Sequence, residues 1–221
     1  MVLASFGCSF VWGTELPDCT DQRASLLSWP ALIAQHLSMD YRCHAQGGRG
    51  NVWIADQLMA HASTADFLVV NWTFLDRVDL RSDQGLWHTL RPGDPDCRDY
   101  FAKWQNDHRD KLISLMCIKN CLDYLDALNK PFLMTWQDPL LFDINWHTTT
   151  STYVLQKMLR PRMTDFDGHN HCVWAQAQGH PLTAGGHLPQ TGQSAVAQYL
   201  ISRINTTITR SEQCNLQKTS A

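Results

Sequence analysis

The sequence lacks long apolar runs, and it lacks an excess of positive charge. No stretch of about 18 consecutive apolar residues occurs, so the sequence predicts no membrane-spanning segment. The 18 lysines and arginines are outnumbered by 21 aspartates and glutamates, which leaves a net charge of −3 and no basic field to hold a nucleic-acid backbone. Internal repeats and low-complexity segments are also missing. Apolar residues make up 44% of the chain and charged residues 18%, a balance that excludes a disordered or fibrous protein.

With 221 residues, the chain is long enough to bury a sizeable core without disulfides or a structural metal. We expect one domain over residues 1–208 and a polar, flexible tail over residues 209–221. The first six residues read as a buried strand, because no positive region and no separate cleavage site accompany them as in a signal peptide. We therefore expect a cytoplasmic protein whose eight cysteines are reduced. The sequence does not indicate an oligomeric state.

Short apolar runs alternate with helical stretches along the chain. The runs predict strands at residues 2–6, 41–45, 67–71 and 132–136. Helices are predicted at 29–37 with Ser28 as N-cap, after an Asn51 cap, at about 103–128, near 151–159 and at about 190–205. We expect a long surface loop over 76–100 and an otherwise irregular segment over 137–187. This alternation predicts an α/β domain with three layers around a central parallel sheet of about five strands.

Polar segments follow three of the predicted strands, and a fourth precedes the last helix. Ser9 follows the first strand, the glycine turn GGRGN follows the second, Asn71 and Thr73 follow the third, and His187 lies before the last helix. Sheets of this kind bind ligands outside the carboxyl ends of their strands. A serine hydroxyl there can act as a nucleophile if a base reaches it, and N–H groups at a glycine turn can hold negative charge. Taken singly, each segment is as typical of an ordinary turn or cap.

Together the four segments resemble the sequence blocks of the SGNH hydrolases, also called the GDSL family of lipases and esterases. FGCSFVWG resembles the block that carries the nucleophile, with Cys8 in place of the usual aspartate. AQGGRGN, NWTFLDR and GGHLPQTGQSAVAQYL resemble the second, third and last blocks. The resemblance spans residues 5 to about 200 and is weak over 76–165. It implies a flavodoxin-like three-layer fold and hydrolysis of a carboxylic ester without a cofactor or a metal.

The resemblance also implies a role for individual residues. Ser9 would be the nucleophile, and His187 the general base that takes its proton. The oxyanion hole would use the N–H groups of Ser9 and Gly48 and one side chain of the third block. The expected partner is a small-molecule or glycan ester. A carbohydrate deacetylase or an acyltransferase on the same fold is the alternative.

The sequence departs from the family pattern at the acid of the triad. That acid usually lies three residues before the histidine, where this chain has Ala184. Either Ser9 and His187 work as a dyad, or another acid substitutes, for which Asp165 and Asp167 are the nearest candidates in sequence. A backbone carbonyl could also orient the imidazole. A catalytically silent binding module is a further interpretation of the missing acid.

Two other departures leave alternatives open. The third block usually reads Gly-x-Asn, and here Asn71 occupies the glycine position and Thr73 the asparagine position. We favour Asn71 as the oxyanion donor because an amide offers two N–H groups. His180 is the runner-up base, because a glycine follows it at a spacing like that of the histidine block. We favour His187, since a helix that began after Gly185 would contain Pro189.

Overall fold

The computed structural model describes the backbone of residues 1–218 and the side chains of residues 1–204. Over these residues the chain forms six strands: β1 (Val2–Phe6), β2 (Asp40–Cys43), β3 (Phe67–Trp72), β4 (Val78–Arg81), β5 (Trp87–Leu90) and β6 (Phe132–Trp136). Four of them form a parallel sheet in the order β2-β1-β3-β6, and β4 pairs with β5 in a separate antiparallel hairpin. The expectation of a parallel α/β sheet is therefore confirmed.

Eight helices accompany the strands of the described residues: α1 (Ser9–Trp12), α2 (Trp29–His36), α3 (Asn51–His61), α4 (Arg98–Trp104), α5 (Asp107–Ala127), α6 (Thr150–Leu159), α7 (His171–Ala177) and α8 (Gln190–Lys218). Helices α3, α5 and α6 cover one face of the sheet, and α2, α7 and α8 cover the other. Along β3, Leu68 and Val70 point into the first layer while Val69 points into the second. Because both faces are covered, β3 is apolar from Phe67 to Val70, as parallel strands usually are.

The parallel sheet has four strands, whereas the sequence predicts about five. After β6 the chain contributes helices α6 and α7 instead of another strand, within the part that the structure describes. Phe166 and His169 form only a single isolated bridge there. This region offers no apolar run long enough to pair with the edge of β6.

Three segments were predicted incompletely. Residues 76–100, expected to be a surface loop, contain the β4–β5 hairpin and the start of α4. The long helix begins at Asp107 rather than near 103, because the Asn106 side chain accepts a hydrogen bond from the Arg109 N–H and caps it. Helix α7 begins within the segment that was expected to be irregular, with Asn170 as its cap.

The N-cap position predicted for Ser28 is confirmed, and the cap predicted at Asn51 was wrong. Ser28 occupies the N-cap position of α2, but its hydroxyl donates to the Ser25 carbonyl at 2.9 Å and caps no helical N–H. Gly50 occupies the N-cap position of α3, and Asn51 is the first helical residue. The Asn51 side chain is buried, where it accepts from the Thr73 N–H at 2.8 Å. It therefore ties the second block to the third instead of capping its own helix.

The remaining expectations concern the tail, the membrane and the thiols. The tail predicted at residues 209–221 lies outside the residues whose side chains are described, and its flexibility stays a prediction. Within the described residues, the structure contains no helix with the length and apolar character needed to cross a membrane. Each of the seven cysteines among the described side chains is a free thiol.

Candidate active site

Ser9 lies where β1 ends and α1 begins, at the carboxyl edge of the sheet. The chain turns at Gly7, where an added Cβ would lie 2.5 Å from Val11 Cγ2 and 3.1 Å from the Asn71 carbonyl, so only glycine fits. Ser9 is 6% exposed, and its hydroxyl makes no hydrogen bond with any described residue. An added Cβ on Gly47 would lie 4.0 Å from Ser9 Cβ, so the glycine turn of the second block borders the serine.

His187 is held by Glu15. The Nδ1 atom of His187 lies 2.6 Å from Glu15 Oε2. The same carboxylate accepts hydrogen bonds from Thr183 Oγ1 at 2.6 Å and from the Gly185 N–H at 3.1 Å. The hydrogen bond from Thr183, followed by the one to His187, lowers the pKa of Glu15 from its ordinary value of 4.5. The carboxylate is therefore ionised at neutral pH and can only accept, so His187 Nδ1 carries the proton and Nε2 is left as the basic nitrogen.

The loop after α1 brings Glu15 to this position. Helix α1 ends at Gly13, whose φ of 81° reverses the chain. Glu15 itself has a φ of 70°, a left-handed conformation that a non-glycine residue rarely adopts. On the other side, an added Cβ on Gly185 would lie 2.5 Å from Glu15 Oε2, so the carboxylate fills the space that a side chain would need. Unfavourable backbone of this kind is typical of functional positions.

Ser9 and His187 lie on the same rim of the sheet. Phe10, the residue after Ser9, packs against the His187 ring with 5.0 Å between ring centroids. The Ser9 hydroxyl and the His187 imidazole do not form a hydrogen bond in the structure. Catalytic hydrogen bonds are often long in the absence of substrate and tighten when it binds.

Neither aspartate suggested by the sequence contacts His187. Asp165 accepts from Arg160 Nη2 at 2.5 Å, and Asp167 accepts from the Tyr199 hydroxyl at 2.9 Å. The carboxylate that contacts this imidazole belongs to Glu15, which the sequence did not indicate because 172 positions separate it from His187. One signal was present: Glu15 is one of only two glutamates in the chain, and it lies two residues after the serine block.

The runner-up base, His180, has a different environment. Its Nδ1 atom lies 3.3 Å from Thr191 Oγ1, near the beginning of α8. Among the described residues, no carboxylate contacts its ring. The arrangement around His187 is therefore the one that fits a general base.

The side chains proposed for the oxyanion hole are already engaged. Asn71 is fully buried within the sheet, where its Nδ2 donates to Thr135 Oγ1 at 2.8 Å. Thr73 is also fully buried, and its hydroxyl donates to Cys8 Sγ at 3.1 Å while accepting from Arg77 Nη1 at 3.0 Å. The role of Asn71 as oxyanion donor stays a prediction, since its amide is buried and pairs inside the sheet, and Thr73 has no further hydrogen to donate.

The β4–β5 hairpin fixes the glycine turn that contains Gly48. Asp79 on β4 accepts from the Gly50 N–H at 2.9 Å and from the Trp53 N–H at 2.8 Å, and so caps α3 from outside the helix. An added Cβ on Gly50 would lie 2.6 Å from this carboxylate. Gly48 has a φ of 78°, and an added Cβ there would lie 3.0 Å from Arg91 Nη1. The turn is thus held in one conformation next to Ser9.

The described side chains offer no metal site, since no group of three or more His, Cys, Asp or Glu is arranged to hold an ion. His171, which is near Asp165 and Asp167 in the sequence, lies in the core. Its ring packs against Phe10 and Trp29, and burial lowers its pKa to about 3.

No protein-family model and no curated protein matches the chain. Among solved structures, the fold is similar to the psychrotrophic esterase EstA from Pseudoalteromonas sp., with a TM-score of 0.55 and 8% identity over 94% of this chain and 98% of that one. The fold is also similar to the acetyl xylan esterase Est2A from Butyrivibrio proteoclasticus, with a TM-score of 0.51 and 13% identity. The matched region covers 94% of this chain but only 64% of that one. The fold is likewise similar to a lipolytic protein of the G-D-S-L family from Veillonella parvula, with a TM-score of 0.50 and 11% identity over 90% of this chain and 94% of that one. The chain therefore has the fold of the SGNH hydrolases, which confirms the fold that the sequence blocks implied.

Proposed function

We propose that the chain is a carboxylic ester hydrolase whose catalytic triad is Ser9, His187 and Glu15. The observation that carries the proposal is the 2.6 Å contact between His187 Nδ1 and an ionised Glu15, on the rim where Ser9 lies. A serine, an imidazole and a carboxylate that orients the imidazole are the parts that acyl transfer to serine requires. The fold shared with esterases is consistent with this chemistry.

In the proposed reaction, His187 Nε2 takes the proton of Ser9 as Oγ bonds to the ester carbon. The carbonyl electron pair moves onto oxygen, and backbone N–H groups of Ser9 and Gly48 donate to the oxyanion. When the carbonyl forms again, the bond to the alcohol oxygen breaks, and His187 returns its proton to the leaving alcohol. Water then attacks the acyl-enzyme in the same way and releases the acid. Glu15 stays ionised and stabilises the imidazolium.

The acid contact also bears on the rival interpretation of a silent binding module. That interpretation depended on Ala184, which leaves the usual acid position without a carboxylate. The contact of Glu15 with the same imidazole, from another loop, supports an active enzyme over a silent module. A sugar ester is one substrate class to test, because the neighbouring structures include an acetyl xylan esterase.

The test is covalent labelling with a fluorophosphonate probe, followed by peptide mass spectrometry. We expect one label, at Ser9, and hydrolysis of p-nitrophenyl acetate that the label abolishes. Ser9→Ala should remove both labelling and turnover while leaving the circular dichroism spectrum and the melting temperature unchanged.

Ser5→Ala is the matched control. Ser5 lies four residues before Ser9, on β1. It is fully buried, and its hydroxyl forms a hydrogen bond with the Tyr41 hydroxyl. This variant should keep full labelling at Ser9. Turnover that persists in Ser9→Ala would refute the mechanism, and a folded wild-type protein that is neither labelled nor active would favour the binding module.

A further inference from the structure

Arg77 lies between the two segments that border the proposed oxyanion hole. Its Nη1 atom donates to the Arg49 carbonyl at 3.1 Å and to Thr73 Oγ1 at 3.0 Å. Arg49 directly follows Gly48, and Thr73 occupies the position at which the family usually has its oxyanion asparagine. Thr73 in turn contacts Cys8, the residue before Ser9. The guanidinium thus joins the second block to the third next to the serine.

Arg77 also contacts the group of aromatic side chains that packs around His187. Its guanidinium carbon lies 4.9 Å from the centroid of the Phe74 ring, and Phe74 packs edge-on against Phe10 at 6.0 Å. Phe10 is the residue that contacts the His187 ring. One continuous layer of aromatic side chains therefore links Arg77 to the imidazole.

The Arg77 guanidinium has N–H groups without an acceptor, and its charge acts on the Asp76 carboxylate without a direct contact. Its Nε and Nη2 groups make no hydrogen bond with any described residue, and no described carboxylate lies within ion-pair distance. By contrast, Arg91 binds Asp94 at 2.9 Å, and Arg81 lies 3.9 Å from Asp56. A guanidinium whose N–H groups lack an acceptor can donate to negative charge that appears during a reaction.

We infer that Arg77 is the third oxyanion donor of the proposed esterase, in the place that an asparagine side chain takes in the family. Asn71 is fully buried and donates to Thr135 inside the sheet, and the Thr73 hydroxyl already donates to Cys8. Arg77, by contrast, has free N–H groups between the two blocks. Arg77 stays protonated throughout: it donates a hydrogen bond to the carbonyl oxygen as that oxygen gains the electron pair. This inference rests on the proposed function and specifies how that site stabilises its transition state.

Two substitutions at this position test the inference. Arg77→Met keeps the aliphatic stem and removes the charge, and Arg77→Lys keeps the charge without the planar fork. Turnover of p-nitrophenyl acetate is measured per mole of Ser9 that the fluorophosphonate probe labels at completion. The affinity for phenylboronic acid is measured as well, because its tetrahedral serine adduct carries the negative charge of the transition state.

We expect Arg77→Met to lower kcat about 100-fold, the usual effect of removing one oxyanion donor, with little change in KM. The affinity for phenylboronic acid should fall in parallel. Arg77→Lys should lose about tenfold in both measurements, and it decides the question if Arg77→Met does not fold. Arg81→Met, on the exposed hairpin, is the matched control and should behave as the wild type.

Either of two results would overturn the inference. One is a kcat per labelled Ser9 and a boronic acid affinity that stay within threefold of the wild type in the folded variant. The other is a loss of labelled protein with unchanged kcat per labelled site, which would make Arg77 a structural residue only. If the wild-type protein is itself neither labelled nor active, the proposed function fails first and the role of Arg77 fails with it.

Discussion

Replacing Glu15 by glutamine tests the triad most directly, because it removes one charge and almost no volume. The carboxylate accepts from His187, Thr183 and Gly185, and glutamine offers a single oxygen for these three donors. If that oxygen remains with Thr183 and Gly185, the amide NH2 faces His187 Nδ1. The imidazole must then lose the hydrogen bond or move its proton to Nε2, and either outcome removes the oriented base.

The expected loss follows from the hydrogen bond that disappears. A hydrogen bond to a charged group contributes about 1.5–3 kcal/mol, and each 1.36 kcal/mol of barrier is tenfold in rate. We therefore expect Glu15→Gln to lower kcat about 10- to 100-fold. KM should change little, because the carboxylate lies behind the imidazole and not against the substrate.

The assay is hydrolysis of p-nitrophenyl acetate at pH 7, with active sites counted by fluorophosphonate labelling. Asp167→Asn is the matched control, since it also neutralises one carboxylate near α8 but contacts Tyr199 instead of the imidazole. It should keep wild-type kcat. If Glu15→Gln keeps full kcat per labelled site, or if Asp167→Asn loses as much, the assignment of Glu15 as the acid is wrong.

Two further predictions concern stability. Asp79→Ala leaves the Gly50 and Trp53 N–H groups without their acceptor and should lower the free energy of unfolding by about 2 kcal/mol, a fall of about 4–8 °C in Tm by calorimetry. Asp83→Ala in the exposed hairpin turn is the control. An equal Tm in both variants would contradict the capping role of Asp79. His44 stacks on the His61 ring at 4.2 Å, and burial, followed by the charge of His61, lowers the pKa of His44 from 6.5 to about 4. Between these two values the unfolded chain binds a proton that the folded chain does not, so the free energy of unfolding falls as the pH is lowered from 6.5 to 4. His44→Phe keeps a ring in the stack and should weaken this pH dependence in denaturant titrations at pH 7 and pH 4.5, whereas an unchanged dependence would refute the cause.

The sequence was informative where a feature is local. The runs at residues 2–6, 67–71 and 132–136 have buried apolar side chains on both faces, so their composition alone predicted β1, β3 and β6. The serine and histidine segments could be located because glycine turns and helix N-termini have recognisable patterns in short stretches of sequence. Ser9 and His187 accordingly lie on the same rim of the sheet.

Features that depend on distant contacts could not be predicted in this way. Glu15 acts on His187 across 172 positions, and Asp79 caps a helix that begins 28 residues before it, although Asn51 looked like the local cap. Asn71 looked like an available amide because its pairing with Thr135, on the neighbouring strand, depends on the register of β3 and β6. Hydrogen bonds between residues distant in sequence thus determine which side chains remain available at the site.

The position of the acid leads to a last prediction, about Ala184. The family resemblance would place the acid there, so Ala184→Asp in the Glu15→Gln background would restore the usual pattern of the sequence. The structure argues that it cannot restore activity. The Gly186 N–H donates to the Thr183 carbonyl at 3.0 Å and the Thr183 N–H to the His187 carbonyl at 2.8 Å, which closes a tight turn with Ala184 exposed at its tip.

In this turn the loop offers its Gly185 N–H to Glu15, and a carboxylate at position 184 would extend into solvent instead of towards the imidazole. We therefore expect the double variant to be as slow as Glu15→Gln alone, measured as kcat per labelled Ser9. Ala184→Asp by itself should keep wild-type kcat, which would show that the substitution does not disturb the turn. Recovery of more than tenfold in the double variant would mean that the loop can rearrange to the family's usual geometry. The conformation imposed by Glu15 would then be one of two that the chain can adopt, and the left-handed backbone at Glu15 would not be required for catalysis.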